Sequence, residues 1–333
     1  MAKKVLLMEK IHEKGMSMLQ EKAEVIVAPD PSEETIVSLI GDCDALIARS
    51  TPVTDRMIEA GKQLKVIGRH GIGVDNIDLE SATRHGVYVM NTPQANVISV
   101  AEHLLTCMLY LTKKAHKCDE AMRAGEFSQQ GSLPALVNRL GYNTIELYGK
   151  TVGFIGMGKI ARRATDICVK GFGMKAYGYD PYLTPAAISA CGAVPCASIV
   201  ELIEQVDFVS IHVPLTAETK NLFNYNTIKL MKPTAFLINT ARGGIIDEAD
   251  LCRALDNGLI AGAAVDVFEH EPPAADHPFF KHDKILVTPH VAAMTDGALY
   301  RMAVDVANNV LDYFKNGTVS NCVNKKDLDA RNN

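Results

Sequence analysis

Short apolar runs rich in β-branched residues alternate with helix-period segments along almost all of the 333-residue chain. A strand buried on both faces reads as a continuous apolar run, and a helix between two such strands is the usual crossover of a parallel sheet. In the first hundred residues KVLLM (4–8), VIVA (25–28), ALIA (45–48), LKVIG (64–68) and VYVMN (87–91) are expected strands. Helical patterns fill the gaps, as at Ser32, where SEET offers an N-cap serine and an acidic residue at its third position. Five such units suffice for one open sheet.

A second block starts at TVGFIGMGKIA, with further strands expected near 206–211, 235–239, 261–265 and 285–287. Between the blocks, residues 97–124 read as one long helix, followed by a polar, glycine-containing stretch up to Lys150. The fold class expected is α/β, with two Rossmann-like or flavodoxin-like parallel-sheet domains and a cleft between them. Periodicity alone does not show whether the helical segment 295–316 returns to the first block; the domains expected are 1–100 with 295–333 and 101–294. The polar tail NKKDLDARNN is expected to fray.

A net charge of −5 and a pI near 6.1 speak against nucleic acid as a partner, since such binders carry a basic face. No apolar run approaches the ~20 residues that span a bilayer. The N-terminal MAKKVLLMEK puts Glu9 and Lys10 where a signal peptide would stay apolar, so a cytoplasmic protein without membrane partners is expected. The eight cysteines form no CxxC pair and read as reduced, packed thiols. His270, His277 and His282 with Glu271 match no common metal-ligand spacing, so no metal is expected.

In TVGFIGMGKIA an apolar strand runs into Gly156-Met-Gly158-Lys159-Ile160-Ala161 and then a helical pattern. Gly156 permits a tight turn, Gly158 lets backbone approach a pyrophosphate, and Ala161 is small enough for helix–strand packing. The helix N-terminus then offers free N–H groups and partial positive charge. The next strand ends at Asp180, 19 residues beyond Ala161. A carboxylate there suits ribose hydroxyls and repels a 2′-phosphate, which favours NAD over NADP. The bland counterpart is an ordinary βαβ crossover.

Three charged groups follow at or beyond strand ends: Arg242 after AFLINTA, Glu271 in AAVDVFEHEPP, and His290 closing ILVTPH. In an open parallel sheet the carboxyl ends of the strands form the ligand crevice. Taken singly, a strand-end arginine is usually a surface cation, and a glutamate near a histidine is usually incidental. No GxSxG or P-loop pattern offers competing chemistry.

With these motifs in order, the chain resembles the D-isomer-specific 2-hydroxyacid dehydrogenases, closest to their phosphoglycerate dehydrogenase and hydroxypyruvate reductase branch. The resemblance runs through ARSTPVTDRMIEA, LKVIGRHGIGVDNIDLE, NTPQANVISVAEH, GFIGMGKIA, GYDPY, HVPLTAETKNL, INTARGGIIDEADL, AAVDVFEHEPP and TPHVAAMT. It implies hydride transfer between NAD and C2 of a small anionic acid, by an NAD-binding Rossmann domain (101–294) and a substrate-binding domain. His290 matches the family's acid–base histidine, Glu271 its carboxylate partner and Arg242 its substrate arginine. A carboxylate stabilises the imidazolium that donates a proton, and a guanidinium fork suits a carboxylate; the two glycines after Arg242 are read as leaving room for that anion.

Secondary positions carry over from the same resemblance. Gly71, Ile72 and Gly73 in RHGIGVDN imply a backbone N–H loop for the substrate carboxylate, and Arg49, Ser50 and Arg69 match phosphoglycerate contacts. Val100 matches a residue packed on the nicotinamide. His212, Val213, Pro214, Thr240 and Ala241 match cofactor contacts, and Asp266 the group that binds the carboxamide, its bland counterpart being a cap on the following turn. Ala292-Ala293, where the family often has Gly-Gly or Gly-Ala, makes the nicotinamide floor bulkier. Residues 126–143 depart from the phosphoglycerate branch, and Glu271, where formate dehydrogenases have an amide, disfavours formate. A homodimer built on the long helix around Ala101, Glu102 and His103 is implied. Without an added domain after residue 333, serine-type feedback is not expected. The alternative reading is a catalytically vestigial NADH-sensing scaffold of the corepressor kind, which long partner-binding tails would mark.

Overall fold

The computed structural model describes residues 2–331. Residues up to Ser99, with those from Ala293 onward, make one compact unit, and Val100–Ala292 the other. Among the described residues each unit is built on one fully parallel sheet.

The first unit holds β1 (Lys4–Leu7), β2 (Glu24–Val27), β3 (Ala45–Ala48), β4 (Val66–Arg69) and β5 (Tyr88–Met90), in the order β2-β1-β3-β4-β5. This is the flavodoxin-like winding, whose order reverses between β1 and β3. Both sheet faces are covered: Leu6, Leu46 and Ile67 pack on one side, Val5, Ile47 and Val66 on the other. That double burial explains why the strands read as unbroken apolar runs rather than alternating ones. The second side is closed by the Asp296–Asn316 helix through Ala303, Val306 and Val310. Two glycines allow its close approach: a Cβ on Gly68 would sit 2.7 Å from Val306 Cγ2, and one on Gly15 would sit 2.6 Å from the Ala303 carbonyl oxygen. The helix is thus part of the first unit's core.

The second unit holds β6 (Thr151–Ile155), β7 (Lys175–Tyr179), β8 (Val194–Pro195), β9 (Phe208–Ile211), β10 (Phe236–Asn239), β11 (Gly262–Val265) and β12 (Ile285–Val287). Their order, β12-β11-β10-β9-β6-β7-β8, is the Rossmann winding with its reversal between β6 and β9. Successive strand residues alternate between two cores: Ile155, Val209, Leu237 and Val265 on one face, Phe154, Phe208, Phe236 and Ala264 on the other.

Two expectations fail. The single helix over 97–124 is two, Val97–Lys113 and Ala115–Arg123, broken at Lys114 with φ 50°. The apolar stripe of the first part (Leu104, Leu105, Met108) packs into the core of the second unit. The polar second part buries Ala121 in a separate cluster with Phe127 and Leu136. Two packing targets in different directions override helical continuity. The tail is not frayed as far as residue 331: Lys325–Arg331 is a helix that buries Leu328 to 4 % exposure. Just before it, buried Asn324 accepts from the Val89 amide (2.9 Å) and donates to the Val87 carbonyl (2.9 Å), completing what β5 leaves open.

Candidate functional site

In the second unit the sequence-predicted residues line up along the carboxyl edge of the sheet: Gly156 follows β6, His212 follows β9, Thr240–Arg242 follow β10, Asp266 follows β11, and His290 lies beyond β12. Glu271 hangs from the loop after β11 and closes on His290, its Oε2 standing 2.8 Å from Nδ1. The other oxygen of Glu271 accepts from the Phe268 amide at 3.1 Å, so the carboxylate is held at both ends. His290 and Glu271 keep side-chain exposures of 50 % and 38 %, enough for a substrate to reach the imidazole.

His290 sits in the left-handed region, φ 53°, which costs a non-glycine residue about 1–3 kcal/mol unless its surroundings impose it. Asp266 imposes it. The Asp266 carbonyl accepts from the His290 amide (2.7 Å), and its carboxylate accepts from the amides of Val291 (2.9 Å) and Ala292 (2.9 Å). Thr288 Oγ1 donates to the same carboxylate at 2.5 Å. Asp266 is 1 % exposed and is thus the organiser of the turn that carries His290, a role the resemblance did not indicate.

Arg242 is placed by Asn239, which sequence reasoning missed. The buried Asn239 side chain accepts from the Ala241 amide (3.0 Å) and donates to the Arg242 carbonyl (2.8 Å), while Arg242 Nη1 donates to the Ala241 carbonyl (2.6 Å). An asparagine closing a strand is the signal that was available, because its side chain forms local turns of this kind. The expectation that both glycines after Arg242 leave room is corrected. A Cβ on Gly243 would lie 1.8 Å from the Phe268 carbonyl oxygen, so Gly243 lets the arginine loop press against the backbone of the Glu271 loop.

The glycine turn lies at the sheet's reversal point. Gly156 has φ 89°, and a Cβ there would meet the His212 carbonyl oxygen at 2.9 Å. Beyond it Gly158 and Lys159 are exposed and Ile160 half-buried, while Ala161 is fully buried. Asp180, at the end of β7, accepts from the Met157 amide (2.9 Å) and the Tyr182 amide (2.9 Å), which fixes its carboxylate beside the turn. The His212 ring nitrogen Nε2 lies 2.8 Å from Ser210 Oγ, and burial pushes the imidazole down to about 4. His212 thus borders the turn through its backbone. Val213 is half-buried, Pro214 exposed, and Val100 is 5 % exposed.

In the first unit Arg49 and Ser50 follow β3, Arg69 ends β4 and His70 to Gly73 follow it, again at the carboxyl edge. Arg49 Nη1 donates to the Lys10 carbonyl (3.0 Å) and the Ser50 amide to Glu9 Oε2 (3.2 Å). Arg69 folds over its own loop, Nε donating to the Gly73 carbonyl at 2.7 Å. The amide of Gly71 is committed to Thr92 Oγ1 (3.0 Å), so the expected anion loop keeps only the amides of Ile72 and Gly73. Elsewhere, the imagined metal ligands separate: His277 pairs with Glu248 (3.0 Å) and His282 with Asp256 (3.3 Å). Among the described residues no trio of His, Cys, Asp or Glu is placed to hold a metal ion, and no helix is long and apolar enough to cross a membrane.

Residues 105–292 match the family model described as D-isomer specific 2-hydroxyacid dehydrogenase, NAD binding domain. The chain belongs to that family. It is 39 % identical to the D-3-phosphoglycerate dehydrogenase of Methanocaldococcus jannaschii, over 98 % of this chain and 60 % of that one. It spans about half to three-fifths of the length of the curated relatives it matches. A 3-phosphoglycerate dehydrogenase of Entamoeba histolytica, solved with NAD+ bound, superposes with a TM-score of 0.79 at 29 % identity, covering 97 % of this chain and 99 % of that one. An NADPH-dependent glyoxylate/hydroxypyruvate reductase of Sinorhizobium meliloti, solved with NADP and malonate, does so with a TM-score of 0.83 at 25 % identity and 97 % coverage of each chain.

The residues present fit the dinucleotide of this family. Nothing lies within 4 Å of where a Gly158 Cβ would be, and Gly158 opens the Lys159–Asp166 helix without any side-chain cap. Its first amides are therefore left for an anion. Thr240 Oγ1 is buried without a hydrogen-bond partner at the end of β10, a donor waiting for an acceptor.

Proposed function

We propose that the protein is an NAD-dependent oxidoreductase acting at C2 of a small anionic D-2-hydroxyacid or 2-keto acid of the 3-phosphoglycerate, hydroxypyruvate or glyoxylate type. One observation carries the reading: Glu271 binds Nδ1 of a half-exposed His290 at 2.8 Å and leaves Nε2 for a substrate oxygen. Bound NAD would supply the two-electron acceptor or donor. As the 2-keto acid is reduced, negative charge builds on its carbonyl oxygen, and His290 Nε2 gives that oxygen a proton; in the other direction it removes the hydroxyl proton. Glu271 holds the ring's orientation and stabilises the imidazolium. Arg242 holds the substrate carboxylate, alone or with the carbonyl oxygen, through its planar fork. Ile72 and Gly73 amides, with Arg49, Ser50 and Arg69, form the anion-binding group of the first unit.

Gly158, Lys159 and Ile160 face the pyrophosphate, and Asp180 takes the ribose hydroxyls. Asp180 is the reason to read NAD rather than NADP, because a fixed carboxylate repels a 2′-phosphate. The NADPH-dependent reductase shares the fold, so the fold does not make that choice. The protein is read as a soluble homodimer without a nucleic-acid partner.

The test is NADH absorbance with a panel of 2-keto and 2-hydroxy acids, phosphorylated and not. Turnover is expected with anionic D-acids, reduction falling as pH rises and oxidation falling as pH drops. His290→Ala should lose at least about a thousandfold in kcat. Arg242→Lys should raise KM for the keto acid tenfold or so while leaving NADH affinity nearly unchanged. An active His290→Ala enzyme, or equal losses for both ligands in Arg242→Lys, refutes the reading. Asp180→Ala should narrow the preference for NADH over NADPH, and analytical ultracentrifugation should show two chains per particle.

A further inference from the structure

We propose that His103 is a positioning residue for His290, acting through Thr288 and Asp266; this rests on the reading of His290 as the acid–base group. His103 stands on the Val97–Lys113 helix, and its Nε2 lies 3.2 Å from Thr288 Oγ1. Thr288 has a single hydroxyl proton, and the 2.5 Å contact to Asp266 Oδ1 uses it. Such a short O–H···O contact to a carboxylate belongs to the strong, charge-assisted class. The hydroxyl can then only accept from His103, which requires the imidazole to carry its proton on Nε2. The same nitrogen is 3.7 Å from Asp266 Oδ1, so its partial positive charge also faces the carboxylate.

Asp266 in turn holds the amides of Val291 and Ala292, and through its carbonyl the amide of His290. The left-handed turn at His290 is thus set by one buried carboxylate. That carboxylate is aimed by a hydroxyl, and the hydroxyl by an imidazole 185 residues earlier in the chain. A local turn defined only by sequence neighbours would tolerate loss of the helix residue; this one should not.

His103→Leu removes the donor, whereas His103→Gln places an amide N–H near the position of Nε2. The leucine enzyme is expected to lose about tenfold in kcat, with KM for the keto acid and for NADH moving less than twofold, because a slightly misaimed acid slows the chemistry rather than binding. The glutamine enzyme should recover most of that loss. Thr288→Val should match the leucine variant, and the double variant should lose no more than either single one. Hydrogen exchange read by NMR gives a second measure: amides of Val291 and Ala292 should exchange faster in His103→Leu, while those of β9 and β10 keep their protection.

A leucine enzyme with wild-type kcat, a glutamine no better than leucine, or protection lost evenly through the sheet makes His103 a packing residue and overturns the proposal. If the leucine variant fails to fold, His103→Asn, whose amide stops short of Thr288, takes its place beside the glutamine. His290→Ala keeps the two readings separable. Its activity decides the acid–base role alone, and the exchange comparison at Val291 and Ala292 still reports on the clamp.

Discussion

His212 and His70 are the two histidines that burial pushes down to about 4, and for His70 the guanidiniums of Arg49 and Arg69 add to the effect. Unfolded, each would titrate near 6.5. Between these values the unfolded chain binds more protons, so the stability they contribute is complete above about 6.5 and is lost as pH falls toward 4. Each accounts for roughly 1–3 kcal/mol over that window. Urea unfolding at pH 7 and pH 5 should show the loss, and His212→Phe should make it smaller; an equal loss in that variant would remove His212 from the account. At this scale Arg242, Glu271 and His290 were legible through the family blocks that hold them, since taken singly each charge had an ordinary surface reading. Asn239, Thr288 and His103 were not. Each is an ordinary polar residue until the fold sets its hydrogen-bond partners, and a sequence does not show partners.

Elements defined by long apolar runs came through closely, since a strand buried on both faces has few ways to be misread. The two-residue β8 and the Leu133–Arg139 helix inside the polar 126–143 stretch were missed, being too short for a period to register. The break at Lys114 was missed because Lys113, Lys114 and Ala115 are all good helix formers. The glycines separate two kinds of loop. Gly243→Ala must drive a methyl into the Phe268 carbonyl and should cost about 3–5 kcal/mol of stability, seen as a lowered melting temperature. Gly158→Ala meets open space and should leave the melting temperature of the free protein within a degree or two while weakening NADH binding severalfold. A Gly158→Ala protein that binds NADH normally would move the cofactor away from this helix.

For the whole molecule, the alternation of strands and helices supported two parallel-sheet units, but periodicity did not show where the Asp296–Asn316 helix packs, and the chain beyond that helix was misread. The polar 324–331 segment looked like a loose end because its two anchoring groups, the Asn324 amide and the Leu328 side chain, are a minority in a charged stretch. Leu328→Ala should cost about 2–3 kcal/mol in denaturant unfolding with NADH affinity unchanged, and no change in stability would mean the helix is not docked in solution.

The first unit is stitched from two ends of the chain, whereas Val100–Ala292 is one uninterrupted stretch. During synthesis the ribosome therefore releases everything the second unit needs before the first has its covering helix. Until the segment beyond Ala293 emerges, Val5, Ile47 and Val66 lack Ala303, Val306 and Val310, the Glu13–Gln20 helix covers their side of the sheet without its partner helix, and the clearances at Gly15 and Gly68 stay unfilled. Translation stalled in that interval leaves a sticky, half-clad sheet tethered to a finished neighbour, which makes the nascent chain a client for chaperones at a definable point in its birth.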